Sequence, residues 1–160
     1  MIYLISVIAT VVLVALDQLI KFFVCADLKP IGEKMLIPGF LQLNYVENTG
    51  AMMGFMQGQT AIMTVASVII LVVLFVLIFT KKIRFGFIYC CLIMIASGGI
   101  GNIIDRIFRG FVVDYIEVLF VDFYVFNFAD CLVTVGSFLI IGYEIFEIIR
   151  DSKKKGSSNG

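Results

Sequence analysis

The pattern of hydrophobic and polar positions divides the chain into four long apolar segments with more polar stretches between them. Residues 1–16 carry no charged side chain, nor do residues 61–80 and 85–104, while the last apolar segment is interrupted by a few acids. A helix that crosses a bilayer needs about 20 mainly apolar residues. The pattern therefore predicts an all-α integral membrane protein with four transmembrane helices, at about residues 2–24, 61–80, 85–106 and 124–149.

The stretches between these helices have patterns of their own. Residues 25–60 form an outer region in which hydrophobic and polar residues alternate from Leu41 to Tyr45, and that alternation predicts a small β element. Residues 111–126 combine many aromatic side chains with scattered acids, which is typical of a segment at the membrane interface. The prediction is thus one domain over residues 1–150, followed by a disordered cytoplasmic tail at 151–160.

Composition agrees with a membrane protein and narrows the possible chemistry. The 160 residues are 61% hydrophobic and 15% charged, with a formal net charge of zero. This argues against a nucleic-acid partner, because neutralising phosphates requires an excess of basic residues. Histidine is absent, which excludes His-based triads and most zinc sites. No metal or cofactor is predicted, and acid–base chemistry has to come from carboxylates, lysine, tyrosine or cysteine.

The distribution of basic residues predicts the orientation in the membrane. Two basic clusters fall on the same side of the four predicted helices: Lys81, Lys82, Arg84, Arg150, Lys153, Lys154 and Lys155. The positive-inside rule makes this side cytoplasmic, together with both termini. The acids in and between the apolar segments are then expected at the extracytoplasmic face: Asp17, Asp105, Asp114 and Asp130.

Asp114 and Asp130 are the candidate catalytic residues. An ionisable group at membrane depth is unfavourable by roughly 2.5–3.5 kcal/mol, so such groups usually have a function and a partner. Two carboxyl groups held close together share a proton, so that one acts as a base toward water while the other donates a proton, as in aspartic peptidases. The alternative is that Asp114 is a solvated loop acid and Asp130 a helix N-terminal residue stabilised by the dipole.

Other polar and small residues are predicted to share helix faces near these acids. One face of the third helix and one of the fourth carry Gly98, Gly101, Asn102, Asp105, Asn127, Asp130, Thr134 and Ser137. The glycines allow a neighbouring backbone to approach closely. In the first helix, Asp17 and Lys21 have the spacing of a helical ion pair, and a structural pair at the membrane edge is the leading interpretation. Arg106 is expected to extend toward lipid headgroups or to pair with Asp105 or another acid.

Five motifs, taken together, resemble the lipoprotein signal peptidase (signal peptidase II) family: DQLIK at 17–21, NTGAMMGF at 48–55, GGIGNIIDR at 98–106, GFVVDYI at 110–116 and FNFAD at 126–130. The resemblance implies an intramembrane aspartic endopeptidase that cleaves diacylglyceryl-modified prolipoproteins just before the lipidated cysteine. It assigns catalysis to Asp114 and Asp130. The implied supporting or substrate-binding residues are Asn48, Gly50, Asn102, Asp105, Arg106, Asn127, Asp17 and Lys21. Met52, Met53 and Tyr115 depart from the usual family pattern, in which Phe is common at the position of Tyr115.

The expected location is the bacterial cytoplasmic (inner) membrane, with the prolipoprotein substrate and membrane lipids as partners and no cofactor, and the chain is expected to be a monomer. Three alternatives remain open. A serine–lysine peptidase using Lys21 would need a serine on the same side, where Ser6, Ser67 and Ser97 are not expected. A proton- or ion-coupled transporter is disfavoured because no internal repeat is evident. A structural membrane protein is disfavoured because paired buried acids stabilise packing poorly.

Overall fold

The computed structural model describes residues 2–50, 58–80 and 85–158, with side chains as far as residue 152. The helices and strands are α1 (Ile2–Phe23), β1 (Glu33–Ile37), β2 (Leu41–Asn48), α2 (Thr60–Phe79), α3 (Phe87–Arg109), β3 (Val112–Val118) and α4 (Phe128–Ser158). Three features used for the sequence predictions lie outside this description. They are residues 51–55 of the second motif (Met52 and Met53 included), the basic residues of 81–84, and the side chains of the lysines at 153–155.

The four described helices have the length and composition of membrane spans, over Ile2–Leu28, Thr60–Phe79, Phe87–Arg109 and Phe128–Ser152. At 1.5 Å per residue the shortest is about 30 Å long, the thickness of the bilayer's hydrocarbon core. The predicted fold class is therefore confirmed. α1 is continued by one π-helical turn, Val24–Leu28. α4 continues to Ser158, although the sequence predicts a disordered tail from residue 151. The helix extends this far because each residue added to an existing helix gains a backbone hydrogen bond.

α3 is the central helix of the bundle. It contacts α1, α2 and α4, and 44% of its most apolar stretch is buried, against 6–11% in the other three spans. The outer helices expose large apolar side chains such as Leu4, Val65 and Ile148. Because lipid tails are as apolar as these side chains, membrane helices associate through close packing rather than through hydrophobic burial.

Glycines supply that close packing on the face of α3 that the sequence singles out. A Cβ atom on Gly98 would collide with the backbone carbonyl oxygen of Ala129 and lie 2.9 Å from Val133 Cγ2. A Cβ atom on Gly101 would lie 2.5 Å from Asp17 Oδ2. The glycine face therefore contacts neighbouring helices, and it brings both α1 and the start of α4 against the polar residues of α3.

The three strands form an antiparallel sheet in the order β1–β2–β3. The predicted β element corresponds to β2. β3 lies within the segment predicted as interfacial, and it pairs with β2 over most of its length, a contact between distant parts of the sequence. Val113 and Tyr115 of β3 pack against Val24 and Leu28 in the π-helical turn. The sheet is thereby attached to the end of α1.

An extra residue in β2 determines which side chain faces Asp114. Leu43 pairs with Ile116 and Val46 pairs with Asp114, so two residues of β2 lie opposite one residue of β3, which is a β-bulge. Since side chains alternate between the two faces of a strand, one extra residue exchanges the faces beyond it. Asn48, two residues after Val46, is therefore on the same face as Asp114, and its Nδ2 donates to Asp114 Oδ2 at 2.8 Å.

Candidate active site

Asp114 lies in β3 with only 2% of its surface exposed. Besides the bond from Asn48, its Oδ1 accepts a hydrogen bond from Asn127 Nδ2 at 2.6 Å. Burial, and after it the negative charge of Asp130, raises the pKa of Asp114 to about 7, because both disfavour the ionised carboxylate. The alternative that Asp114 is a solvated loop acid is therefore wrong.

Asp130 lies in the first turn of α4 and forms a reciprocal cap with Asn127. The Oδ1 of Asn127 accepts the backbone N–H of Asp130 at 2.9 Å, and Asp130 Oδ2 accepts the backbone N–H of Asn127 at 3.2 Å. This arrangement follows the logic of the capping box, and the helix dipole favours a carboxylate there. Asp130 is thus a helix N-terminal acid, as one interpretation predicts. The same carboxylate also faces the polar residues of α3, because its Oδ1 accepts from Asn102 Nδ2 at 2.8 Å.

Asn127 joins the two candidate catalytic acids directly. It bonds Asp114 through its side-chain nitrogen and Asp130 through its backbone N–H, and it is fully buried. Its Nδ2 also lies 3.2 Å from Asn102 Oδ1. β3 and the start of α4 therefore bring Asp114 and Asp130 to one site, with both carboxylates oriented by neutral amides.

Lys21 forms a buried cluster next to this site. Its Nζ lies 3.0 Å from Asp17 Oδ2 and 2.9 Å from Asp105 Oδ2, and it donates to Asn102 Oδ1 at 2.9 Å. The helical ion pair predicted between Asp17 and Lys21 is confirmed. However, the pair is fully buried, and it contacts an amide that in turn bonds Asp130. The cluster is therefore continuous with the candidate active site.

The last turn of α3 carries two arginines, Arg106 and Arg109, and Arg109 forms the ion pair with Asp105 that is one expectation for Arg106. The ion pair with Asp105 on this helix is made by Arg109, whose Nε lies 3.3 Å from Asp105 Oδ1. Arg106 interacts electrostatically with Asp130 first, and then with Asp114 and Asp105, and its buried Nε has no hydrogen-bond partner among the described residues. Sequence reasoning missed Arg109, although the i, i+4 spacing applied to α1 also identifies this pair.

Asp17 and Tyr115 position the start of α4. Asp17 Oδ1 accepts the backbone N–H of Ala129 at 3.1 Å, and the hydroxyl oxygen of Tyr115 accepts that of Phe128 at 3.2 Å. Burial raises the pKa of Tyr115, so its hydroxyl stays neutral. A phenylalanine at position 115 lacks this acceptor. The departure from the usual family residue therefore adds a hydrogen bond beside the site.

Gly50 acts on the site through Asn48 rather than directly. The Gly50 backbone N–H donates to Asn48 Oδ1 at 2.9 Å, which orients the amide so that its nitrogen is directed at Asp114. Across the described part of the chain, no group of three or more Cys, Asp or Glu side chains has the arrangement of a metal site. What the geometry provides is two carboxyl groups bonded by one buried asparagine, and the pKa of one of them, Asp114, is raised to about 7 by burial and by the charge of the other.

Comparison with known proteins decides the family. A family model described as signal peptidase (SPase) II matches residues 9–146, a range that includes all the site residues described above. The chain belongs to the signal peptidase II family. Two relatives carry the name lipoprotein signal peptidase. The one from Lactobacillus johnsonii is 33% identical over 139 residues (87% of this chain and 90% of the relative). The one from Streptococcus thermophilus is 37% identical over 137 residues (84% and 88%).

Solved structures agree with the family membership. Two structures of bacterial membrane enzymes, obtained by the in meso method at 2.3 and 1.9 Å resolution, match this chain with TM-scores of 0.79 and 0.75. Their sequence identities are 31% and 34%, and the matches cover 94% and 85% of this chain and 90% and 89% of the solved chains. The chain is accordingly a peptidase of the signal peptidase II family and a multi-pass bacterial membrane protein.

The chain belongs to a peptidase family, which argues against the transporter and structural alternatives. The contacts of Lys21 with two carboxylates and an amide argue against the serine–lysine alternative. The hydroxyl of Ser6 contacts Tyr89, and that of Ser97 donates to the carbonyl of Ile93. Neither serine is engaged with Lys21 in the part of the chain that the structure describes.

Proposed function

We propose that the chain removes signal peptides from diacylglyceryl-modified prolipoproteins by cutting just before the lipidated cysteine, with a water molecule activated between Asp114 and Asp130. The substrate class is supported by the relatives named lipoprotein signal peptidase. The observation that carries the mechanism is the double contact of Asn127, which bonds both carboxyl groups from one buried residue.

The two acids have different roles in this mechanism. The raised pKa of Asp114 favours it as the group that holds the proton, and Asp130 is the base. Asp130 takes a proton from water while the water oxygen attacks the scissile carbonyl carbon, and Asp114 gives its proton to the carbonyl oxygen. In the second step Asp130 passes its proton to the amide nitrogen, the C–N bond breaks, and Asp114 recovers a proton from the diol intermediate.

The surrounding residues position the acids and the substrate. Asn48, Asn102 and Asn127 donate hydrogen bonds to the carboxylates, which keeps the oxygen atoms oriented without adding charge. Arg106 is assigned to substrate binding, because its buried Nε has no partner among the described residues and a peptide carbonyl oxygen would satisfy it.

The proposal includes an orientation. Both termini lie in the cytoplasm of a bacterial cell with the active site at the extracytoplasmic face, as the basic clusters of the sequence predict. A site at the membrane edge gives access to water, while the acyl chains and signal helix of the substrate stay in the bilayer. A reporter enzyme that is active only in the cytoplasm should be active when fused to the C-terminus. An inactive fusion would place the C-terminus outside the cytoplasm and would refute this orientation.

The test is cleavage of a synthetic peptide with a diacylglyceryl-modified cysteine by the purified protein, with products identified by mass spectrometry. We expect one cut immediately before the modified cysteine. Asp114→Asn and Asp130→Asn should lower turnover by about a thousandfold or more. Asp122→Asn is the matched control, because Asp122 is an exposed acid in the connection between β3 and α4, and it should cleave at the wild-type rate.

Each part of the proposal can fail separately. Full turnover by either Asp114→Asn or Asp130→Asn would refute the two-carboxylate mechanism. Equal cleavage of the same peptide without its lipid would refute the requirement for a lipid-modified substrate. A cut at another peptide bond would refute the assigned cleavage position.

A further inference from the structure

Asp105 pairs with two cationic side chains, Lys21 and Arg109. Of these two, only Lys21 lies in one of the five motifs that resemble the family. Asp105 Oδ2 pairs with Lys21 at 2.9 Å, and Asp105 Oδ1 pairs with Arg109 Nε at 3.3 Å. Asp105 is fully buried, whereas 30% of the Arg109 side chain is exposed. Arg109 therefore reaches from the edge of the protein to an acid inside it.

The charge balance of the buried cluster depends on Arg109. Asp17 and Asp105 share one lysine, and all three side chains are buried, so the formal charges of the cluster without Arg109 sum to minus one. An uncompensated buried charge is strongly unfavourable. Arg109 supplies the missing positive charge in direct contact with Asp105, whereas Arg106 acts on Asp105 only electrostatically, after Asp130 and Asp114.

Arg109 is itself fixed at both ends of its guanidinium group. Its Nε pairs with Asp105, and its Nη1 donates to Cys25 Sγ at 3.3 Å. Cys25 lies in the π-helical turn that continues α1. The guanidinium group therefore connects the last turn of α3 to the end of α1, the two elements that carry the buried cluster.

A chain of contacts leads from this cluster to the candidate base. Lys21 donates to Asn102 Oδ1 at 2.9 Å, and Asn102 Nδ2 donates to Asp130 Oδ1 at 2.8 Å. An amide can satisfy both contacts in only one orientation, with its oxygen toward Lys21 and its nitrogen toward Asp130. The orientation of Asn102, and with it the hydrogen bond on Asp130, therefore depends on where Lys21 is held.

We propose that Arg109 is a positioning residue for the peptidase reaction, acting through Asp105, Lys21 and Asn102 on the carboxylate of Asp130. This inference rests on the proposed function. Arg109 contributes a positive charge that allows Lys21 to remain between Asp17 and Asp105. Without it, Lys21 is drawn toward the acids and its bond to Asn102 weakens.

The experiment compares Arg109→Gln and Arg109→Lys with the wild type in the lipopeptide assay, measuring kcat, KM and the pH dependence of kcat. In Arg109→Gln we expect kcat to fall roughly fivefold or more, about the effect of losing one typical hydrogen bond, with KM unchanged. Arg109→Lys restores the charge and should recover most of kcat. Arg150→Gln is the control, because Arg150 is half exposed and lies about 30 Å along α4 from Asp130.

The pH profile separates positioning from a merely structural role. The charged groups acting on Asp114 include Asp130 and Lys21, together with Arg106. The positive charge of Lys21 lowers the pKa of Asp114, and the hydrogen bonds from the amides of Asn48 and Asn127 lower it as well. Removing a positive charge from the cluster lets Asp114 keep its proton to higher pH, so the alkaline limb of kcat should move upward in Arg109→Gln. In Arg109→Lys it should return toward the wild-type position.

Three results would overturn the role of Arg109. They are a wild-type kcat and pH profile in Arg109→Gln, a rise in KM with kcat unchanged, and equal losses of kcat in the glutamine and lysine variants. The proposed function fails in a different way, through a wild-type protein that leaves the lipopeptide intact. A wild-type protein that cleaves it beside an equally active Arg109→Gln variant would refute only the positioning role.

Discussion

Asn127 should be the most sensitive non-acidic residue of the site, because one side chain both caps α4 and bonds Asp114. Two variants separate these roles. Asn127→Ala removes the capping oxygen and the amide nitrogen together. Asn127→Ser keeps an oxygen that can cap the helix, since serine is about as good an N-cap as asparagine, but it is too short to reach Asp114 as the amide does.

The magnitudes follow from the contacts of the Asn127 side chain. Loss of an N-cap destabilises a protein by about 0.5–2 kcal/mol, and loss of a hydrogen bond to a charged group by about 1.5–3 kcal/mol. The bond to Asp114 is short, at 2.6 Å, and fully buried. We expect Asn127→Ala to lower the free energy of unfolding by about 2–5 kcal/mol and Asn127→Ser by about 1 kcal/mol less.

Activity should respond differently from stability. Both variants lose the bond that orients Asp114, and 1.5–3 kcal/mol corresponds to a fall in kcat of about 10- to 150-fold. The assays are thermal unfolding in detergent and cleavage of the lipopeptide. A serine variant with wild-type turnover would refute the argument, because the contact between Asn127 and Asp114 would then have no part in catalysis. Equal stability of the two variants would refute the cap.

Two further predictions concern stability. Because the pKa of Asp114 is raised from 3.8 to about 7 in the folded protein, its protonation stabilises the fold below about pH 4, and this contribution is lost as the pH rises through about 7. The Tm should therefore fall across that range, and Asp114→Asn should show a smaller fall; an unchanged slope would contradict the shift. Gly98→Ala forces a methyl group against the carbonyl of Ala129 and should cost about 1–3 kcal/mol of unfolding free energy. Gly142→Ala, with open space around it, should stabilise α4 by up to about 1 kcal/mol; similar effects of both glycine variants would contradict the close contact.

The helices of this fold could be predicted from sequence because their signal is local. Each span is a continuous apolar run, and the bilayer fixes the length that such a run needs. β3 was not predicted as part of the sheet, because its partner β2 lies far earlier in the chain and aromatic residues with scattered acids also suit a membrane interface. The bulge that places Asn48 beside Asp114 is equally nonlocal, since it is defined only by the register of two strands.

The contacts in the candidate site show the same difference between local and nonlocal signals. Ion pairs within one helix follow from residue spacing, which predicts the pair of Asp17 with Lys21 and, by the same rule, the pair of Asp105 with Arg109. Contacts between different helices and strands cannot be predicted from spacing. Spacing along the sequence states neither that Lys21 contacts Asn102 nor that Asn127 reaches Asp114, and the motifs identified these residues without specifying the bonds among them.

The start of α4 explains how Asp130 is held relative to Asp114. Four backbone N–H groups there, those of residues 127 to 130, have no partner within the helix, and each is bonded by a side-chain oxygen: Asp130 Oδ2, Tyr115 Oη, Asp17 Oδ1 and Asn127 Oδ1. Tyr115 is the neighbour of Asp114 in β3, so the strand that carries one acid bonds the helix that carries the other. Asp17 connects the same helix start to the Lys21 cluster. The relative position of the two carboxyl groups is therefore set by backbone contacts immediately beside them, and a change in Tyr115 or Asp17 alters the site without touching either acid.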